Sequence, residues 1–398
     1  MLQIVYYLLF AINLLYVFHF AFPFIMGLFK KKKSTIISQK FCQFAVLIPA
    51  RNEECVIQNL IISLQKQNYP QENYDIYILI NHCTDSTKQI ALQNNVKIIE
   101  CPDTVKSKGD VLSFSFEQLE SKKIDAYLIF DADNVVHSDF LKEMNLSYQA
   151  GYQVAQGFRD SKNWKDNWLS QGYSIFYFIQ NAFFQTRKNC NISAVLSGTG
   201  FMVRKEVIDQ LGYSMTTMTE DLEFSAFAAV HNIKIDFVKE AITYDEQPTN
   251  FSVSWKQRKR WTTGAYQCFL KYWKELFHKS TNIISRLDLF YIFFSPFLQV
   301  LTCSIGFINM VYMLLKYNCI NSLFQGILMA FLAYSAVCLF ASFIVKYNGK
   351  NPNHWKLGIL TFPIFLITWI PIQFICLLKR VEKWEPIEHK ASVKVEEI

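Results

Sequence analysis

Two aspartates one residue apart, Asp131 and Asp133, close the apolar run Ala126-Tyr127-Leu128-Ile129-Phe130. A short run rich in aromatic and branched side chains reads as a buried parallel strand. Residues i and i+2 of an extended chain point to the same side, so both carboxylates face one spot past the strand's carboxyl end. Open α/β sheets bind ligands there. Two carboxylates aimed at one spot repel unless a cation sits between them, and hard oxygen donors favour Mg2+ or Mn2+ over zinc. A plain strand-end turn uses the same residue types. The pair alone leaves both readings open.

Further along lie residues that complete a reaction. Thr219-Glu220-Asp221 places acids in the first turn of a helix with Thr219 as its cap. Such a carboxylate suits a general base that takes a proton from a hydroxyl nucleophile. Leu196-Ser197-Gly198-Thr199-Gly200-Phe201 is a small-residue turn where a ligand or backbone can approach closely. Lys108 and Arg260 offer cations for a diphosphate leaving group, and Trp261 offers a stacking face for a sugar or a lipid-linked acceptor.

Alternating strands and helices are expected to position these groups. Strands are expected at 43–48, 74–80, 96–99, 126–130 and 233–238. Helices are expected from about Glu53 to Gln67, from Lys108 onward, and over the aromatic stretch Asn163 to Phe184. Short connections between them predict a parallel α/β sheet. The chain has no Gly-x-Gly-x-x-Gly and no Walker loop, which argues against dinucleotide enzymes and P-loop NTPases. The aromatic stretch reads as core in preference to an acceptor groove, and Asp245 and Glu246 read as loop acids. Arg258 and Lys259 read as contacts to lipid headgroups. The histidines are unclustered and are assigned to no metal.

The hydrophobic fraction of 51% is high for a wholly soluble chain, and the excess sits at the two ends. Leu2 to Phe29 is long enough to cross a bilayer of about 30 Å. Lys30 to Lys33 follow at once, which places that end in the cytoplasm. Further spans are expected at 287–315, 323–345 and 357–378. Lys379, Arg380 and Lys383 follow the last span and conflict with an outside tail, while Pro363 and Pro371 allow a re-entrant segment. The expected divisions are a 1–33 anchor, a 34–264 cytosolic domain, a 265–286 amphipathic interfacial segment, a 287–378 membrane region and a 379–398 charged tail. The net charge of +7 clusters beside apolar segments, which indicates membrane lipids or an anionic substrate and no nucleic acid. The ten cysteines show no metal spacing and read as reduced thiols.

In this order the chain carries Ile48-Pro49-Ala50-Arg51-Asn52-Glu53, Asn81-His82-Cys83-Thr84-Asp85, Lys108-Gly109, Asp131-Ala132-Asp133, Ser197-Gly198-Thr199-Gly200, Thr219-Glu220-Asp221 and Gln257-x-x-Arg260-Trp261. It thereby resembles membrane-embedded family-2 glycosyltransferases with the GT-A fold, a Rossmann-like mixed sheet. These include the synthases of hyaluronan, cellulose, poly-N-acetylglucosamine and nodulation chitooligosaccharides. The resemblance covers residues 43 to 270 and the flanking spans. It implies that Pro49, Ala50, Arg51, Glu53, Asn81, Lys108 and Asp131 bind a UDP-sugar donor. Asn81 stands where many members carry Asp. Asp133, with Asp131, would hold Mg2+ or Mn2+, and Asp221 would be the base. Gly198, Thr199, Glu220, Gln257, Arg260 and Trp261 would meet the diphosphate and the acceptor. The implied activity is inverting transfer to a growing β-linked polysaccharide; the alternative is single transfer to a lipid or polyprenyl-phosphate acceptor. A catalytically dead membrane scaffold is the competing reading outside enzymes.

Overall fold

The computed structural model describes residues 2–30, 40–277, 283–316 and 319–378. Lys31 to Lys33 and the tail from Lys379 onward, used above as topological markers, lie outside the described residues.

Eight strands form one sheet: β1 Phe44–Ala50, β2 Tyr74–Ile80, β3 Lys97–Glu100, β4 Ala126–Ile129, β5 Val135–Val136, β6 Val154–Ser161, β7 Phe201–Arg204 and β8 Ile235–Asp245. The order across it is β3-β2-β1-β4-β7-β6-β8-β5. The first four are mutually parallel. β7 runs antiparallel to β4 and β6, and β8 runs parallel to β6. The carboxyl ends of β1, β2, β4, β6 and β8 therefore share one edge of a mixed sheet.

Both faces are covered, as the apolar runs require. Val46 and Ile48 of β1 pack with Ile57, Leu60, Ile61 and Leu64 of the Ile57–Gln65 helix. Ala45 and Leu47 face the opposite layer, with the Lys108–Gln118 and Trp168–Asn189 helices. This is the period-two alternation of a strand. The second layer continues without a break into Phe293, Ile344 and Phe365 of the apolar C-terminal helices.

The first helix of the sheet domain begins at Ile57, not near Glu53. Tertiary bonds draw the intervening residues away: Thr87 Oγ1 accepts from Glu53 N at 2.8 Å, and Asp85 accepts from Glu54 N at 3.1 Å. The β1 and β2 loops are thus laced together. A single helix, Phe251–Tyr272, runs through the expected division at 264/265, with Tyr266, Cys268 and Tyr272 buried against protein.

Among the described residues, four stretches are long and apolar enough to cross a membrane: Ile4–Phe29, Ile283–Tyr312, Leu323–Tyr347 and Pro352–Leu378. The last divides at Thr368 into helices Lys356–Ile367 and Trp369–Leu378. These helices dock by polar as well as apolar contacts. Arg187 donates to both oxygens of Asp288 at 2.8 and 3.0 Å, and His19 Nε2 lies 2.6 Å from Asp288 Oδ1. Lys350 pairs with the buried Asp160 at 2.7 Å.

Removing one partner of a buried ion pair strands the other charge. Asp288→Ala is expected to destabilise the protein by about 3–5 kcal/mol. The check is a lowered unfolding midpoint of the detergent-solubilised chain.

Candidate active site

The shared sheet edge opens on a cavity of about 810 Å³. Of the residues named from sequence, Pro49, Ala50, Arg51, Glu53, Asn81, Lys108, Asp131, Asp133, Gly198, Glu220, Asp221, Gln257, Arg260 and Trp261 all line it. Thr199 does not; it is fully buried behind the wall and fastens the turn after β4. Its hydroxyl accepts from Asp131 N at 2.9 Å and donates to Asn134 Oδ1.

Lys108 stands at the centre of the charges. Its ammonium donates to Asp131 Oδ1 at 2.5 Å and to the Gly198 carbonyl at 2.8 Å, and it lies 3.1 Å from Glu220. Burial disfavours the charged ammonium, but Asp131 and Glu220 outweigh burial and raise its pKa. Burial likewise opposes ionisation of Asp131, yet Lys108 holds that carboxyl below its usual range. Gly198 has φ +90°, and a Cβ there would lie 3.6 Å from both Asp221 Oδ2 and an Arg159 nitrogen. The turn therefore brings its backbone between Lys108 and Asp221 with no side chain intervening.

Asp221 opens the Glu220–Val230 helix. Thr219 holds the cap position, but its side chain makes no capping bond, contrary to the sequence expectation. It is packed instead against Gly264 of the Phe251–Tyr272 helix, where an added Cβ would lie 2.2 Å from Thr219 Oγ1. Glu223, fully buried, anchors the segment by accepting from Thr216 N and Thr217 N at 2.8 and 2.6 Å. The Asp221 carboxyl reaches the cavity, yet it is ringed by protein. Burial first, and Glu220 second, push it up to about 7.

Several residues of the site escaped the sequence reading. Asp245, expected as a loop acid, ends β8 and is buried. Arg159 Nε donates to it at 2.6 Å, and Arg159 also lies 4.0 Å over the Tyr177 ring. Lys162 donates to the Asp133 carbonyl at 2.9 Å and lies 3.4 Å from Glu246. The available signal was the one used at Asp131: acids just past the end of a strand. Arg258, read as a lipid-headgroup contact, is fully buried and donates to Thr368 at 2.6 Å, at the break between the last two helices. Trp261 stacks at 6.4 Å on Phe176 and at 6.1 Å on Trp369, so the aromatic stretch supplies both core and cavity wall.

The donor set fits a small hard cation. Asp133 is nearly buried at the strand end, where its carboxylate accepts from Glu246 N at 3.3 Å and from Asn134 at 3.3 Å. No group of three or more His, Cys, Asp or Glu suited to a metal occurs among the described residues. A cation at Asp133 would thus complete its shell with substrate oxygens and water, as Mg2+ and Mn2+ do.

The family model described as glycosyltransferase like family 2 matches residues 42–264, and the chain belongs to that family. It is 26% identical over 369 residues to the probable glycosyltransferase YdaM of Bacillus subtilis, covering 85% of this chain and 83% of the relative. It is 27% identical over 236 residues to the beta-monoglucosyldiacylglycerol synthase of a Nostoc species, covering 58% of this chain and only 50% of that relative. Among solved structures, the mannosyltransferase PcManGT from Pyrobaculum calidifontis, in complex with GDP-Man and Mn2+, superposes with a TM-score of 0.63 at 11% identity. That match covers 91% of this chain and 99% of the other. The sheet is of the GT-A type, and the chain is a family-2 glycosyltransferase.

The Gly264 contact yields a test. Gly264→Val should displace Thr219 and with it Asp221, lowering sugar transfer at least about a hundredfold, in line with the cost of a misplaced group of ~1 Å. Nucleotide affinity, measured by calorimetry, should fall much less than transfer, because Asn81, Lys108 and Asp131 lie on other segments of the cavity wall.

Proposed function

We propose that this chain is an inverting glycosyltransferase that moves a sugar from a uridine-diphosphate donor to an acceptor hydroxyl at the membrane, first of all the end of a growing β-linked glycan. The observation that carries this reading is the single cavity. Its lining includes Asp131, Asp133 and Asp221 of the sheet domain together with Trp369 and Gln373 of the last apolar helix.

Asn81 lies at the nucleotide end with its side-chain oxygen buried and without a partner among the described residues. That acceptor complements the N3–H of uracil. Lys108 lies within reach of both Asp131 and the Gly198 carbonyl, and so positions cationic charge beside the departing diphosphate. Arg260 adds a second cation to the same wall. A divalent cation held at Asp133 would neutralise charge developing on that diphosphate. Mn2+ in the PcManGT complex supports this use.

The acceptor hydroxyl gives its proton to the Asp221 carboxylate. Its oxygen bonds to C1 of the sugar from the face opposite the diphosphate. The C1–O bond to the diphosphate breaks, and its electron pair leaves with UDP. The displacement inverts C1, so a UDP-α-sugar gives a β-linked product. A lipid acceptor is the second reading. It is favoured by Leu366 and Ile367, apolar side chains that line the cavity and are 38% and 61% exposed. Both readings place the sheet on the cytoplasmic side, where nucleotide sugars are made.

A base works only when unprotonated. With Asp221 at about 7, transfer should rise roughly tenfold from about pH 6 to about pH 8 and then level off. Asp221→Asn should abolish transfer across that range while UDP still binds; unchanged UDP release from the donor would defeat the assignment. Asp133→Ala should weaken UDP binding more than about tenfold in Mn2+. In chelator, calorimetry should find parent and variant alike.

A further inference from the structure

The strand order sets an axis along the cavity. From β2 it passes β1, β4, β7 and β6 to β8, and neighbouring strands lie about 4.8 Å apart. Asn81 follows β2, Asp131 and Asp133 follow β4, and Glu246 and Gln247 follow β8. All of these residues line the cavity. A nucleoside-diphosphate sugar is itself linear: base, ribose, diphosphate, sugar. With the base at Asn81 and the diphosphate at Asp133, the sugar comes to lie over β6 and β8.

A series of contacts builds that part of the wall. Asn134, next to Asp133, donates to Asp245 Oδ1 at 3.0 Å, and Asp245 accepts from Arg159 Nε at 2.6 Å. Arg159 Nη1 donates to the Ser197 carbonyl, and a Cβ on Gly198 would lie 3.6 Å from both that nitrogen and Asp221 Oδ2. The series thus runs from beside Asp133 to the base. The carbon that exchanges its bond must sit between the diphosphate and the base, so the ring that carries it lies against Arg159 and Asp245. The Tyr177 ring backs the guanidinium at 4.0 Å. Bonds to Asp245 and Ser197 leave at least one guanidinium N–H over.

Gln247 supplies the decisive observation. It is 3% exposed and lines the cavity, and its side-chain nitrogen has no partner among the described residues. Its backbone is held on both sides. Gln247 N donates to Asn163 Oδ1 at 2.7 Å, and Asn163 Nδ2 donates to Gln247 O at 2.9 Å. One residue earlier, Glu246 N donates to Asp133 Oδ2 at 3.3 Å. The fold therefore clamps the backbone of this residue and leaves its amide nitrogen unmet. A buried donor in that state is costly unless a ligand meets it.

Building on the transferase reading above, we propose that Gln247 and Arg159 bind the transferred sugar, with the Gln247 amide donating to an oxygen carried by the sugar ring. That oxygen belongs to a hydroxyl or to an acetamido carbonyl. A carbonyl only accepts, whereas a hydroxyl also donates. A carboxylate at position 247 could take a hydrogen from the hydroxyl but has nothing to offer the carbonyl, and this difference separates the two.

Calorimetry on the full-length protein in lipid nanodiscs, with Mn2+ and no acceptor, reads the affinities for UDP, UDP-glucose and UDP-N-acetylglucosamine. Gln247→Leu should weaken binding of at least one UDP-sugar about fivefold or more, while UDP stays within about twofold of the parent. Equal losses for UDP and UDP-sugar would show a structural role and overturn the proposal. Unchanged affinity for every probe overturns it too, as does a parent that binds UDP but neither UDP-sugar. A parent that does not bind UDP at all is a different failure, because it defeats the uridine-donor reading itself. Gln247→Glu is scored against its own UDP affinity. It should bind UDP-glucose better than Gln247→Leu does if a hydroxyl meets the amide, and should lose as much UDP-N-acetylglucosamine affinity as Gln247→Leu if the carbonyl does. Arg159→Lys keeps a cation beside Asp245 but loses the planar fork, and it should weaken the same UDP-sugar while sparing UDP.

Discussion

Like charges held close together in a poorly solvated space set the terms for this molecule. Asp131, Asp133, Glu220, Asp221, Asp245 and Glu246 all face one cavity. Left alone they would drive one another toward protonation. The fold answers with cations at fixed places. Lys108 lies between Asp131 and Glu220, Arg159 is paired with Asp245, and Lys162 is beside Glu246. Between Asp131 and Asp221, what differs is how much positive charge each receives to set against burial. Asp131 is held ionised by Lys108, whereas Asp221 is pushed toward neutrality by burial and by Glu220. Two aspartates, one in the turn after β4 and one in the first turn of a helix, are thereby held differently: one is favoured as the carboxylate, and the other is pushed toward its protonated form.

The sheet and its edge were legible because the strands are short, apolar and bounded by turn residues. The acids at Asp131 and Asp133 were legible because they follow an apolar strand at its carboxyl end, although β4 stops at Ile129 and both lie in the turn after it, not on one face of the strand as expected. Asp245 and Glu246 carry the same signal. They were passed over because β8 runs to Asp245, well beyond the expected end at 238, and charged residues Lys239 and Glu240 interrupt its apolar pattern. Arg159 was hidden for another reason. Its partners Ser197 and Asp245 are distant in sequence; Asp245 reaches it when β6 and β8 pair, and Ser197 reaches it from the turn before β7. Arg258 misled because a basic run beside an apolar segment resembles a headgroup contact. A helix has two sides, and Gln257, Arg260 and Trp261 take the one facing the cavity. The start of the first helix at Ile57 was likewise decided by bonds to Thr87 and Asp85, which no local propensity reports.

Glycine and threonine do quieter work. Gly198 and Gly264 each remove a side chain where two functional segments approach, one beside Lys108 and Asp221, the other under Thr219. Thr199 gives up contact with the cavity to tie Asp131 to Asn134. Such residues set distances between groups that react, and their types alone do not announce it.

The bond from Arg258 to Thr368 has a mechanical meaning. Arg258 follows Gln257 on one rigid helix and grips the joint between the two last apolar segments, with Phe365 and Trp369 packed 5.2 and 5.6 Å from its guanidinium. A rod clamped to a joint turns it into a lever. Any tilt of the Trp369–Leu378 segment is handed to the helix that bears Arg260 and Trp261. The cavity wall at Arg260 and Trp261 and the joint at Thr368 are therefore mechanically one piece.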